Sequence, residues 1–306
     1  MDGRRSRGRS NLVSRQCPWS MRASVIAWVL VLILPGCAAT RHHEDRITPE
    51  LLAQRSELSR AAQDAMDRSD WPAAQQALER LISIIPRSAE AYQRLGQALQ
   101  AQGNYLGAEK AYLKALELDH DYPAALIGLG ETEAYLGRLQ AALKRLDEAV
   151  EVDPRRSLGH LVRGRVLENL GRTDESLAAY FRALEFEPNS VPATISVVKL
   201  QIDRGQSDQA LARIDQAIQQ LPTDPEARHQ RGRALLALGQ SREALPDLKL
   251  AAETLVDRPE IFLDLARALS SVSPPQKQEA LEAARRAEAL APGWADARDL
   301  SERLTR

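Results

Sequence analysis

"RGRVLENLGR", Arg163 to Arg172, and "RGRALLALGQ", Arg231 to Gln240, lie 68 residues apart, and half that distance is the period of the chain. With Gly164 and Gly232 as one place in a unit, steps of 34 residues reach Gly96, Gly130, Val198 and Ala266. Twelve residues after these places, beginning from Ala74, stand Ala108, Ala142, Ser176, Ala210 and Ala244. Seven further on come Ala115, Ala149, Ala183, Ala217 and Ala251, and five beyond these Pro86, Pro154, Pro188 and Pro222, with His120 and Val256 as exceptions. A two-residue insertion in "SSVSPPQKQ" brings Ala280, Ala287 and Pro292 into the same places of a last unit. A fixed period of this length means stacked modules, each burying its apolar face only against its neighbours.

The small residues define a mechanical unit. Two helices approach to about 8–10 Å only where small side chains meet at their crossing, which places Gly or Ala on a first helix and Ala twice on a second. Gly103, Gly137, Gly171, Gly205 and Gly239 stand where each first helix must stop, and glycine there supplies the left-handed C-terminal turn. Asn104, Thr173, Ser207 and Ser241 are expected as N-caps of the second helices, and Pro123, Pro225 and Pro259 as the opening residues of first helices. Thr48 and Pro49 open a longer first helix. Pro246 falls inside a second helix, where it is expected to kink the helix and free one carbonyl. Arg163 and Arg231 occupy a normally apolar place and are expected to snorkel along their stems.

This pattern closely resembles the tetratricopeptide repeat family, and "AYQRLGQALQAQGNYLGAEKAYLKALELD", Ala91 to Asp119, is its most faithful copy. Seven units start near Arg55, Ala89, Pro123, Ser157, Val191, Pro225 and Pro259. The resemblance implies an all-α, right-handed solenoid over residues 49–292 whose first helices line a concave face. "GWADARDLSERLTR", 293–306, suits a capping helix.

The N-terminus reads as a sorting signal. Arg22 is followed by twelve uncharged, almost wholly apolar residues, "ASVIAWVLVLIL". That is short of the roughly 20 a membrane span needs and inside the roughly 7–15 of a secretory core. "LPGC", Leu34 to Cys37, resembles the lipobox of bacterial lipoproteins, with Pro35 departing from the usual small or aliphatic residue. The expectation is an extension and signal peptide over 1–36 (the start being Met1 or Met21), acylation of Cys37, and a polar tether over 37–48. By the same resemblance Ala38 favours the outer membrane over the inner. An uncleaved signal anchor is the alternative.

Composition narrows the function. The first 36 residues carry six Arg and one Asp, and the rest of the chain holds 35 basic against 41 acidic residues, a net −6. An acidic body argues against nucleic acid as the main partner. Two Cys in all, Cys17 and Cys37, make neither a disulfide framework nor a Cys-rich metal site. His42 and His43 stand in the tether without further ligands. The chain lacks a Gly-rich phosphate loop, an HExxH pair and a nucleophile elbow, and His120, His160 and His229 fall in different units. No cofactor, metal or small-molecule substrate is expected, and the chain reads as a non-enzyme, with a subunit of an envelope enzyme complex as the remote alternative.

By family resemblance the fifth and ninth residues of each first helix face the groove. The ninth reads Gln63, Gln97, Glu131, Arg165, Lys199, Arg233 and Arg267, basic throughout its second half; the fifth reads Ser59, Gln93, Ile127, Leu161, Ile195, His229 and Leu263. A ladder for a peptide bearing carboxylates and aliphatic side chains is one reading. The other is a solvated face in which Glu168, Asp203 and Asp264 neutralise Arg165, Lys199 and Arg267 within the same helices, leaving Arg233 alone without a partner. The function implied is a lipid-anchored protein-interaction adaptor, similar to the tetratricopeptide lipoproteins of pilus or secretin assembly or of peptidoglycan enzymes.

Overall fold

The structure, a computed structural model, describes residues 48–306, so the signal segment, Cys37 and the tether up to residue 47 lie outside the described residues. Fifteen helices and no strand make up the described residues. The first helices of the seven units are α1 (Pro49–Asp67), α3 (Ala89–Ala101), α5 (Pro123–Tyr135), α7 (Ser157–Asn169), α9 (Val191–Asp203), α11 (Pro225–Ala237) and α13 (Pro259–Ser271). The second helices are α2 (Trp71–Ile84), α4 (Tyr105–Leu118), α6 (Leu139–Val152), α8 (Thr173–Phe186), α10 (Ser207–Gln220), α12 (Ser241–Thr254) and α14 (Lys277–Leu290). A last helix, α15 (Ala295–Thr305), covers α14 and brings Ala297 and Leu300 into the terminal core.

Every helix packs on the next, and α3 with α5, α5 with α7, α9 with α11 and α11 with α13 touch in addition, while no two second helices approach comparably. The first helices therefore form the tighter, inner wall of an α-solenoid. Its core is a chain of local apolar clusters, each shared between adjacent units, as stacking of incomplete modules requires.

The glycines at the helix ends behave as expected: Gly103, Gly137, Gly171, Gly205 and Gly239 have φ between 72° and 77°, a region other residues enter at a steric cost. The glycines inside the first helices serve a closer contact than small-on-small packing. A Cβ on Gly164 would stand 2.5 Å from Tyr180 Cε1, and one on Gly232 2.6 Å from Leu248 Cγ. Each glycine thus makes room for a large residue sixteen positions on, and where the fifth unit carries Val198 the facing residue is Ile214, both fully buried.

One expectation needs correction. Thr48 caps α1, accepting from Leu51 N at 3.2 Å, but among the expected caps of second helices only Asn104 does so, accepting from Gly107 N at 3.0 Å. Thr173, Ser207 and Ser241 are the first residues inside their helices, after Arg172, Gln206 and Gln240, which make no side-chain cap bond. Ser176 and the buried Ser207 and Ser241 turn inward, and Ser176 Oγ donates to Gly164 O at 2.8 Å, tying second helix to first. Pro246 lies inside α12 as expected, and the helix runs on from Ser241 to Thr254 although proline offers no N–H to the carbonyl of Arg242.

Candidate partner-binding groove

The inner wall opens into a cavity of about 570 Å³ between α3, α5 and the start of α7. Gln93, Gln97 and Gln100 project into it from successive turns of α3, opposite Ile127 and Glu131 of α5. Gln100 is committed: its Nε2 donates to Glu131 Oε2 at 2.8 Å, and its Oε1 accepts from Tyr112 at 3.0 Å. Burial, and then the Glu131 charge, push the Tyr112 phenol well above its ordinary value, so it stays a hydrogen-bond donor. Gln93 and Gln97 have no hydrogen-bond partner among the described residues. Tyr105 and Tyr135 stack at 4.8 Å and 16° on the rim; Tyr135 is 52% and Leu158 51% exposed. Free amides beside exposed aromatic and aliphatic surface suit the peptide groups and side chains of an extended segment.

The second half of the wall is closed by charge. Arg165 Nη1 meets Glu131 at 3.1 Å, Lys199 Nζ meets Glu168 at 2.7 Å, Arg233 Nη2 meets Asp203 at 2.9 Å and Arg267 Nη2 meets Asp296 at 2.9 Å. Each basic residue pairs with an acid of the adjacent unit or of α15; only Arg267 also pairs within its own helix, with Asp264 at 3.3 Å. Arg233, expected to be alone, has Asp203 and, at 3.8 Å, Asp264. The fifth residues of this half also sit differently from the expectation. Ile127, though buried, lines the cavity as expected, whereas Leu161, His229 and Leu263 are buried in the seams between first helices and Ile195 is half-buried. They present little surface to a partner, because successive first helices touch along that row. His229 Nε2 lies 3.0 Å from Asp264 Oδ2, joining the sixth unit to the seventh.

The first arginine of each triplet does more than snorkel. Arg163 Nε donates to Asp147 at 2.6 Å and Arg231 Nε to Asp215 at 2.6 Å. Both acids stand sixteen residues upstream on the preceding second helix, a spacing repeated after 68 residues and so visible in the sequence itself. Arg231 Nη1 and Arg228 Nη1 also hold Asp247, each at 2.6 Å. Among the described residues no three His, Cys, Asp or Glu are grouped to hold a metal ion, and no helix is long and apolar enough to cross a membrane.

Paired helices stacked by small residues around an open inner wall define a helical-repeat scaffold for protein interaction. Models described as tetratricopeptide repeat match residues 89–122, 127–191 and 198–257, more than half of the chain; the chain belongs to the tetratricopeptide repeat family. It is 35% identical over 106 residues to "Cellulose synthase operon protein C" of Xanthomonas axonopodis pv. citri, a match spanning 34% of this chain and 7% of that protein's length. The fold is similar to a tetratricopeptide repeat protein from Parabacteroides merdae, with TM-score 0.57 and 18% identity over 83% of this chain and 100% of the other. It is also similar to PilW, described as a widely conserved type IV pilus biogenesis factor, with TM-score 0.59 and 19% identity over 69% of this chain and 97% of PilW.

Proposed function

We propose that the chain is a non-enzymatic adaptor, anchored by acyl chains on Cys37 in a bacterial envelope, that takes a partner segment into the first half of its groove. The observation that carries this is the cavity between α3 and α5, with the free amides of Gln93 and Gln97 beside the Tyr105–Tyr135 stack. The four basic residues further along are met by acids in the free protein, so a peptide drawn to them has first to displace those acids. At about 0–1 kcal/mol per exposed pair, such exchange contributes little. The lipobox-like "LPGC" supports an envelope location facing the periplasm, and Ala38 after Cys37 favours the outer membrane.

Photo-crosslinking in intact cells tests the groove. A benzoylphenylalanine at Gln97 is expected to give a discrete adduct that weakens with Gln93→Arg; adducts only from position 233 would overturn the placement. Radioactive palmitate is expected to label the chain and not Cys37→Ala. Equal labelling of both, or none of either, would reject the lipid anchor and favour an uncleaved signal anchor.

A further inference from the structure

Between α8 and α10, away from the groove, lies a second cavity of about 240 Å³ lined by Asn189, Thr194, Arg213, Gln216 and Gln220, with Leu184 among its apolar neighbours. Its origin can be read along the repeat. At the place of Thr194 the other units carry Leu58, Tyr92, Leu126, His160, Arg228 and Phe262. The fifth unit has the smallest side chain there, and the space that a larger one would fill stays open.

The charge beside that space is also without its counterpart. At the place of Arg213 the sixth unit has Asp247, which pairs with Arg228, the counterpart of Thr194, at 2.6 Å. The fifth unit carries a cation, Arg213, where the sixth carries the acid, and a short Thr194 where the sixth carries the long basic side chain. Arg213 has no ion-pair partner among the described residues, and its Nε is buried without a hydrogen-bond partner. Its guanidinium lies 5.3 Å from the Phe181 ring centroid, and stacking of this kind fixes a planar cation in place. Asn189, Thr194, Gln216 and Gln220 add amide and hydroxyl groups that make no side-chain hydrogen bond among the described residues.

The geometry points to a carboxylate-binding site at Arg213: one monoanionic carboxylate on a short aliphatic stem, held by the guanidinium and the surrounding amides, with the stem against Leu184. A guanidinium fork matches a carboxylate in shape and charge, and the single cation suits a monoanion better than a phosphate. The carboxylate comes either from a protein, as an acidic side chain or C-terminus, or from a free small acid. This site is independent of the groove, and its fate leaves the groove reading untouched.

Propionate titrated into the full chain in detergent, with arginine and glutamine side chains labelled with ¹⁵N, tests the site. The Arg213 Nε–H and Gln220 amide signals are expected to shift and saturate with propionate. Propionamide and inorganic phosphate are expected to act at least tenfold more weakly. Thr194→Leu, which restores the residue type of Leu126, is expected to weaken propionate at least tenfold, and Arg213→Gln to abolish the Gln220 shift. Equal response to propionamide or phosphate, or undiminished binding in Thr194→Leu, would overturn the proposal. An amidated peptide with one glutamate, an acid-free peptide with a free C-terminus, and propionate alone then separate the sources; saturation by any of them supports a carboxylate site.

Discussion

Arg231 holds the carboxylate of Asp247 at 2.6 Å from the same helix face on which it reaches back to Asp215, so one guanidinium joins three consecutive second and first helices. Asp247 is 1% exposed and takes Arg228 on its other oxygen. Removing a buried partner strands the charges it served, at about 3–5 kcal/mol where both are buried. Here the arginines keep some solvent, and Asp247→Ala is expected to cost about 2–4 kcal/mol in urea unfolding. A loss below about 1 kcal/mol would show that the cluster does not stabilise the fold.

Gly164 faces Tyr180 without room for a methyl group. Gly164→Ala is expected to destabilise the protein by about 1–3 kcal/mol through overpacking, read as a lower midpoint in thermal unfolding. Pairing it with Tyr180→Ile, after the natural Val198–Ile214 combination, is expected to recover part of that loss. An unchanged midpoint in the single variant would refute the close contact.

Glu133 is 7% exposed, and one of its carboxylate oxygens is buried without a hydrogen-bond partner. Burial raises its carboxyl above the ordinary 4.5, against the lowering effect of Arg145. Between 4.5 and the raised folded value the native state keeps a proton that the unfolded chain has released. Its contribution is therefore most favourable below that window and is lost as pH rises through it. Glu133→Gln is expected to gain stability over the natural protein as pH goes from 4 to 7; a constant difference across that range would contradict the assignment.

Arg233 stands between Asp203 and Asp264. Arg233→Glu places three acids together and is expected to cost about 1 kcal/mol or somewhat more at low salt, whereas Arg233→Met costs less. The excess loss in Arg233→Glu is expected to shrink in 1 M salt as screening shortens; salt-independent loss would point to packing instead.

The 34-residue step places every first helix from Ala89 to Pro259, because helix starts follow from local proline, glycine and small-residue chemistry. The caps are less legible. Thr173, Ser207 and Ser241 have cap chemistry, yet each is the first residue inside its helix and the boundary moves by one residue; burying Ser207 and Ser241 on the inner side outweighs capping, while Thr173 stays exposed. The groove is legible only in outline. Ile127, His229 and Leu263 lie on the predicted face of their helices, yet which part of that face meets solvent depends on how closely the next first helix approaches. Spacing within a helix offers acids to Arg165 and Lys199, while their contacts run between units, a distance no single-helix spacing contains. The one signal available, an Asp sixteen residues before both Arg163 and Arg231, spans a unit boundary.

Those cross-unit contacts give the copies addresses. Splicing out residues 191–224 would close the chain in register, yet Arg231 would then meet Phe181 where it now meets Asp215, and Asp203 would be gone. Duplication makes such a chain readily; once neighbouring copies have exchanged charges, their order can no longer be shuffled.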